Sequence, residues 1–121
     1  MAPHSEPLNL GLFRVHLIFF FLFAGFSTVM LGVGVLGLKN QNMSALIGLG
    51  LGALFLPIAG LHWIAAAGAR DGKSSGRILS RIFGTLWLFG FPLGTLLGLY
   101  VWYQTGSSKW HSDKVMRSAT V

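Results

Sequence analysis

The chain has 121 residues, of which 53% are hydrophobic and only 10% are charged, and nine lysines and arginines against three acidic residues give a net charge of +6. Soluble domains carry roughly a quarter charged residues, so this composition excludes an ordinary soluble globular protein. Cysteine is absent, which excludes disulfides and thiolate-based metal or nucleophile sites.

The charged residues are confined to short segments of the chain. Three long stretches contain none: 15–38, 40–69 and 82–108. Each is longer than the run of about 20 apolar residues that a helix needs to cross a bilayer. None shows the regular polar stripe of a helix in a soluble bundle.

The pattern therefore predicts an all-α integral membrane protein with three transmembrane helices. The predicted spans are about 13–38, 44–67 and 78–103. We expect a single transmembrane domain over 1–121, with a polar N-terminal lead at 1–12 and a polar basic tail at 104–121.

The first span, with a helix beginning near Leu10, is rich in phenylalanine and carries His16 near its start. Its apolar run exceeds the core of about 7–15 residues typical of a signal peptide, which favours an uncleaved anchor. Thr28 and Gly32 place small residues one turn apart on this span.

The second span combines small residues, a proline and a histidine. Gly48 and Gly52 lie one turn apart, Pro57 lies mid-span, and His62 lies near the end. A proline inside a membrane helix is tolerated when neighbours satisfy the carbonyl that it leaves without a donor, so we expect a kink at Pro57.

The most polar stretch follows, and its basic residues are predicted to contact lipid headgroups. They are Arg70, Lys73, Arg77 and Arg81. Because the basic residues flank apolar spans, phospholipid is a simpler partner than nucleic acid. Three crossings would place the N-terminus and this turn on one face and the tail on the other, and the denser basic cluster favours a cytoplasmic N-terminus.

The third span contains "GFPLGTLLGLYVWY", in which Gly90, Gly94 and Gly98 recur at every fourth residue. Lipid gives helices no hydrophobic drive to associate, so glycine stripes favour close helix packing. We interpret Gly48, Gly52 and these three glycines as packing residues among the helices, with docking of a partner as the alternative. Pro92 is predicted to kink the span.

The two spans place His16 and His62 near the same membrane surface. Imidazole ligates haem iron and the magnesium of chlorophyll-type pigments. The simpler interpretation is that both histidines hydrogen-bond to backbone, neighbours or headgroups, so no cofactor and no metal site is expected.

The segment 68–103 resembles a group of small, uncharacterised bacterial membrane proteins. The resemblance rests on a basic turn, on Arg77-Ile78-Leu79, and on the block Phe91-Pro92-Leu93-Gly94-Thr95 with Gly98 and Tyr100. Where that group has Trp-Ala before the arginine, this chain has Ser75-Gly76. The resemblance implies a bacterial helical membrane protein and no more, because the group has no established activity. We expect the location to be a bacterial inner membrane.

No Asp, Glu, Lys or Arg lies mid-span, and no phosphate-binding loop, nucleophile with a base or carboxylate pair is visible, so we do not expect an enzyme. The leading hypothesis is a non-catalytic subunit of a larger membrane complex, such as a respiratory or photosynthetic one, that packs against other membrane subunits and lipid. One alternative is a cofactor-carrying anchor that uses His16 and His62. A second is a small self-associating channel or transporter.

Overall fold

The computed structural model describes residues 8–119, and within that range the chain is helical with no strand. The all-α prediction is confirmed, while the first seven residues of the predicted lead and the last two of the tail lie outside the described range. The five helices are α1 (Leu10–Lys39), α2 (Ser44–Asp71), α3 (Ser74–Leu88), α4 (Leu93–Gln104) and α5 (Ser107–Ala119).

Two helices, α1 and α2, are long and apolar enough to cross a membrane. They have 30 and 28 residues, or about 45 and 42 Å at 1.5 Å per residue. Both begin and end close to the predicted spans. The start of α1 is capped by Asn9, whose side-chain oxygen accepts a hydrogen bond of 2.9 Å from the Leu12 N–H.

The third predicted span is not one helix. α3 ends at Leu88 and α4 begins at Leu93, and the residues between them include a cis Phe91–Pro92 peptide bond. The prediction of a continuous helix over 78–103 with a kink at Pro92 is therefore wrong. Proline cannot donate to the carbonyl four residues earlier, and here the helix stops rather than bends.

α3 and α4 pack against each other as an antiparallel helical hairpin. Gly84 and Gly98 meet where the helices are closest, and a methyl group at Gly98 would lie 2.5 Å from the Gly84 carbonyl oxygen. Gly94 faces the Trp87 carbonyl at the turn, and Gly90 precedes α4 altogether. The three glycines therefore do not form one stripe on a single helix.

The described chain divides into two compact units. The first comprises residues 8–16 and 64–119. Its core contains Leu12, Ala69, Val101 and Trp110, each at most 2% exposed. The sequence placed Trp110 in the polar tail, but in the structure it is a core residue that holds α5.

The second unit comprises Leu17–Trp63, in which α1 and α2 approach each other through small residues. A methyl group at Gly48 would lie 2.6 Å from the Gly34 nitrogen. The Ser27 hydroxyl donates to the Gly52 carbonyl at 2.7 Å. α2 continues through Pro57 without interruption.

The contact residues of α1 differ from the expected ones. Thr28 is exposed, and its hydroxyl donates to the Ala24 carbonyl of its own helix at 2.8 Å. A methyl group at Gly32 would have no atom within 4 Å, whereas Gly34 and Gly37 face the backbone of α2. Helical spacing alone did not reveal which small residues face the neighbouring helix.

Candidate functional site

His16 is fully buried in the first unit and bonded to α3. Its Nε2 lies 2.8 Å from the Ser80 hydroxyl oxygen, and that hydroxyl lies 2.6 Å from the Gly76 carbonyl. A serine hydroxyl has one proton, so donation to Gly76 requires His16 Nε2–H to be the donor to Ser80. The ring packs beside Trp87, with centroids 6.0 Å apart.

His62 is fully buried in the second unit, where it packs beside two phenylalanine rings that also contact each other. The ring centroids of Phe19 and Phe23 each lie 5.4 Å from that of His62, at interplanar angles of 21° and 18°. Phe23 stacks in turn on Phe55 at 5.6 Å. The imidazole therefore belongs to a cluster of aromatic side chains from α1 and α2.

The four predicted headgroup residues differ in exposure and in partners. Arg70 and Lys73 are the exposed pair, and both contact the Asp71 carboxylate, at 3.0 and 3.5 Å. Such exposed ion pairs contribute little to stability. The side chains of Arg70 and Lys73 are 55% and 68% exposed.

Arg77 and Arg81 instead bind the C-terminal end of α4. The Arg77 Nε donates to the Thr105 carbonyl at 2.8 Å, and its Nη2 donates to the Ser107 hydroxyl at 2.8 Å. The Arg81 Nη2 donates to the same Thr105 carbonyl at 3.1 Å, and its guanidinium lies 5.2 Å from the centre of the Trp102 ring. Cations at a helix C-terminus offset its partial negative charge, so the arginines hold the two ends of the hairpin together.

A polar cluster joins the start of α1 to α4 and α5. The Asn9 Nδ2 donates to the Gln104 side chain at 3.3 Å and to the Asp113 carboxylate at 3.4 Å. Asp113 is 8% exposed and also accepts from Lys109 Nζ at 3.0 Å. This hydrogen bond raises the pKa of Lys109, so its contribution to stability persists until the pH rises above the ordinary lysine pKa near 10.5.

The turn of the α3–α4 hairpin is strongly apolar and exposed. Phe89 and Phe91 are each 85% exposed and Leu93 is 78% exposed. Its backbone is nevertheless hydrogen-bonded: the Gly90 N–H donates to the Trp87 carbonyl at 2.9 Å. The Thr95 hydroxyl donates to the Leu88 carbonyl at 3.0 Å, which supplies the donor that Pro92 cannot.

An apolar groove lies on the second unit beside the stacked rings. It has a volume of about 310 Å³ and is lined by Leu22, Phe23, Phe26 and Phe55. Phe26 meets Phe55 edge to face, with centroids 5.0 Å apart. The groove is an open, apolar surface lined mainly by aromatic rings, and it suits an apolar occupant.

Reasoning from the sequence did not identify several residues whose buried hydrogen bonds connect the helices. Asn9, Asp113, Ser80 and Thr105 are buried polar residues, and three of them lie outside or at the ends of the predicted spans. Asn9 carries a signal that could have been used, since asparagine just before an apolar helix is a preferred cap. Pairing Ser80 with His16 or Asp113 with Asn9 requires long-range geometry that no local pattern contains.

No cluster of three or more potential metal ligands occurs within residues 8–119. Comparisons with protein-family models, with curated proteins and with solved structures gave no match. Function is therefore inferred from the residues and contacts of the chain itself.

Proposed function

We propose that this chain is a non-catalytic, membrane-embedded subunit of a larger membrane complex, such as a respiratory or photosynthetic one. α1 and α2 cross the bilayer, and the outer faces of both helices contact lipid and neighbouring subunits. We place the chain in a bacterial inner membrane, as the resemblance expected from the sequence of segment 68–103 would imply.

The observation that carries the proposal is the exposure of large apolar side chains along both long helices. On α1, Phe21, Leu22 and Val29 are 60–63% exposed, and on α2, Leu46 and Ile47 are 68% and 60% exposed. Contiguous apolar surface of this extent on a soluble protein is an aggregation hazard. In a bilayer it is the ordinary outer surface of a membrane helix.

The aromatic groove supports a protein partner in addition to lipid. Its lining residues Phe23, Phe26 and Phe55 are held by mutual ring contacts. Aromatic side chains packed against one another present a shape that the side chains of a helix can match more closely than disordered acyl chains can. Close packing of matched surfaces is the main source of association between membrane helices.

The second candidate function, a cofactor-carrying anchor, is favoured by the burial of both histidines among aromatic rings. His62, beside Phe19 and Phe23, has the more apolar surroundings. His16 donates from Nε2 to Ser80, so its lone pair lies on Nδ1, and ligation through Nε2 would require that hydrogen bond to break.

The test is purification of the tagged full-length chain from native membranes in a mild detergent, with co-purifying proteins and the visible spectrum recorded. Phe26→Ala removes a wall of the groove, and the matched control Val35→Ala removes an exposed side chain of the same helix. We expect a stoichiometric membrane partner whose recovery falls several-fold with Phe26→Ala and is unchanged with Val35→Ala.

A colourless chain that purifies alone would refute the subunit proposal. Visible absorbance that disappears with His62→Ala or His16→Ala would support the anchor instead. Complete release of the wild-type chain by alkaline carbonate would refute membrane embedding itself.

A further inference from the structure

We propose that the α3–α4 hairpin is a re-entrant element, which enters the lipid from the face that carries both ends of the described chain and returns to that face without crossing. Its partner is the acyl-chain region of one leaflet, which its tip contacts. The inference rests on the membrane embedding proposed above, and it changes the topology from three crossings to two.

The lengths of the two helices exclude a crossing by either. α3 has 15 residues and α4 has 12, which correspond to about 22 and 18 Å. The hydrocarbon core of a bilayer is about 30 Å thick. Each helix is long enough to pass through one leaflet and too short to span both.

The open end of the hairpin, here called its base, lies close to both ends of the described chain. Arg77, near the start of α3, binds the Thr105 carbonyl just after α4. The Leu8 N–H donates to the Arg70 carbonyl at 3.0 Å, and Asn9 bonds to Asp113 of α5. These contacts lie within the first unit, so the first described residues, the end of α2 and α5 share the hairpin's base.

The tip has the two properties that a lipid-inserted turn requires. Phe89, Phe91 and Leu93 project large apolar side chains outward. The carbonyls of Leu86, Trp87 and Leu88, which a broken helix would leave without donors, accept from the Phe89 N–H, the Gly90 N–H and the Thr95 hydroxyl. Backbone polar groups at membrane depth must be paired within the protein, and these three carbonyls meet that requirement.

The distribution of charge assigns the side from which the hairpin enters. The basic residues that belong to the base of the hairpin or lie close to it in the chain are Arg14, Arg70, Lys73, Arg77, Arg81, Lys109 and Lys114. At the opposite end of α1 the only basic residue is Lys39. By the positive-inside rule, which counts lysines and arginines near the ends of spans, the base is cytoplasmic and the 40–43 loop is external.

The experiment is site-specific labelling of single cysteines with a membrane-impermeant maleimide, and the absence of native cysteine leaves no background. Asn42→Cys reports the 40–43 loop, Ser112→Cys reports α5, and Phe91→Cys reports the tip. We expect Asn42→Cys to label in intact spheroplasts and Ser112→Cys only in inverted vesicles. Phe91→Cys should label in neither until detergent is added.

Labelling of Ser112→Cys from the same side as Asn42→Cys would overturn the proposal, because the third apolar segment would then cross. Labelling of Phe91→Cys from water in intact membranes would also overturn it. Leu93→Cys carrying a nitroxide gives a second measurement, in which greater relaxation by oxygen than by a soluble nickel chelate supports the lipid-inserted tip. If alkaline carbonate released every variant, the proposed function would fail rather than the hairpin topology alone.

Discussion

Individual glycines in this chain differ in what surrounds them. Gly68 of α2 and Gly76 of α3 cross in direct backbone contact, and a methyl group at Gly76 would lie 2.5 Å from the Gly68 carbonyl carbon. By contrast, a methyl group at Gly60 of α2 would have no atom within 4 Å. Gly68 and Gly76 are therefore needed for the close approach of α2 and α3, whereas Gly60 has no such role.

We predict that Gly76→Ala destabilises the protein, because the atoms it would displace belong to backbone that cannot rotate away. Overpacking of this kind costs about 1–3 kcal/mol. The midpoint of thermal unfolding in detergent, followed by circular dichroism, should fall. Gly60→Ala is the control and should leave it unchanged or raise it, since alanine favours a helix over glycine by up to about 1 kcal/mol.

Ser80 is the residue on which the orientation of His16 depends. Ser80→Ala removes the acceptor of the His16 Nε2–H inside a fully buried site. Loss of one partner of a buried hydrogen bond costs about 1–3 kcal/mol, and we expect a lower melting midpoint. Ser118→Ala, which removes an exposed hydroxyl bonded only within its own turn, should have no effect. Equal midpoints for the two variants would contradict the assigned hydrogen bond.

At the scale of elements, one threonine side chain bridges the break between α3 and α4. The Thr95 hydroxyl supplies the Leu88 carbonyl with a donor across the turn, and Thr85 makes a similar bond to Arg81 inside α3. The two residues have the same chemistry in different positions. Only the first joins two helices.

We predict that Thr95→Val loosens the hairpin, because the Leu88 carbonyl loses its donor. Amide hydrogen exchange at Gly90 and Gly94 should accelerate several-fold, and the melting midpoint should fall by an amount that corresponds to about 1 kcal/mol. Thr85→Val should change neither measurement, since its helix keeps the backbone bond to the same carbonyl. Faster exchange in Thr85→Val as well would show that loss of any threonine hydroxyl in this region loosens the helices, and would contradict a specific role for Thr95.

Prediction from sequence was accurate for α1 and α2 and failed for the third segment, for a physical reason. A charge-free stretch such as 82–108 is long enough to cross a bilayer whether it does so or turns back. Pro92 is compatible with a kinked helix and with a broken one. The choice depends on packing between Gly84 and Gly98 and on the Thr95 hydrogen bond, which form only when distant residues meet.

At the scale of the whole molecule, the two ends of the described chain are joined by buried polar groups. Asp113 accepts from Asn9, more than one hundred residues earlier, and from Lys109. Trp110 beside it packs on Leu12 and Ala69 in the core of the first unit. α5 is therefore a docked helix, although its sequence is that of a polar tail.

We predict that Asp113→Ala releases α5. Trypsin in limited proteolysis should then cleave after Lys109 and Lys114 several-fold faster than in the wild type, with fragments identified by mass spectrometry. Ser112→Ala, an exposed neighbour bonded only to the Lys109 carbonyl, is the control and should leave cleavage slow. Unchanged cleavage in Asp113→Ala would contradict the prediction, because α5 would then stay docked without the hydrogen bonds of Asp113.

The sequence by itself determined that the chain is helical and that the segments of α1 and α2 are long and apolar enough to cross a membrane, because charge-free length and composition are local properties. It also predicted a third crossing, which the structure does not show as one helix. It also located the basic residues and both histidines. Tertiary structure alone decided that the third segment folds back, that Arg77 and Arg81 bind the end of α4, and that Ser80 orients His16. These outcomes depend on contacts between different helices, and local sequence patterns do not predict such contacts.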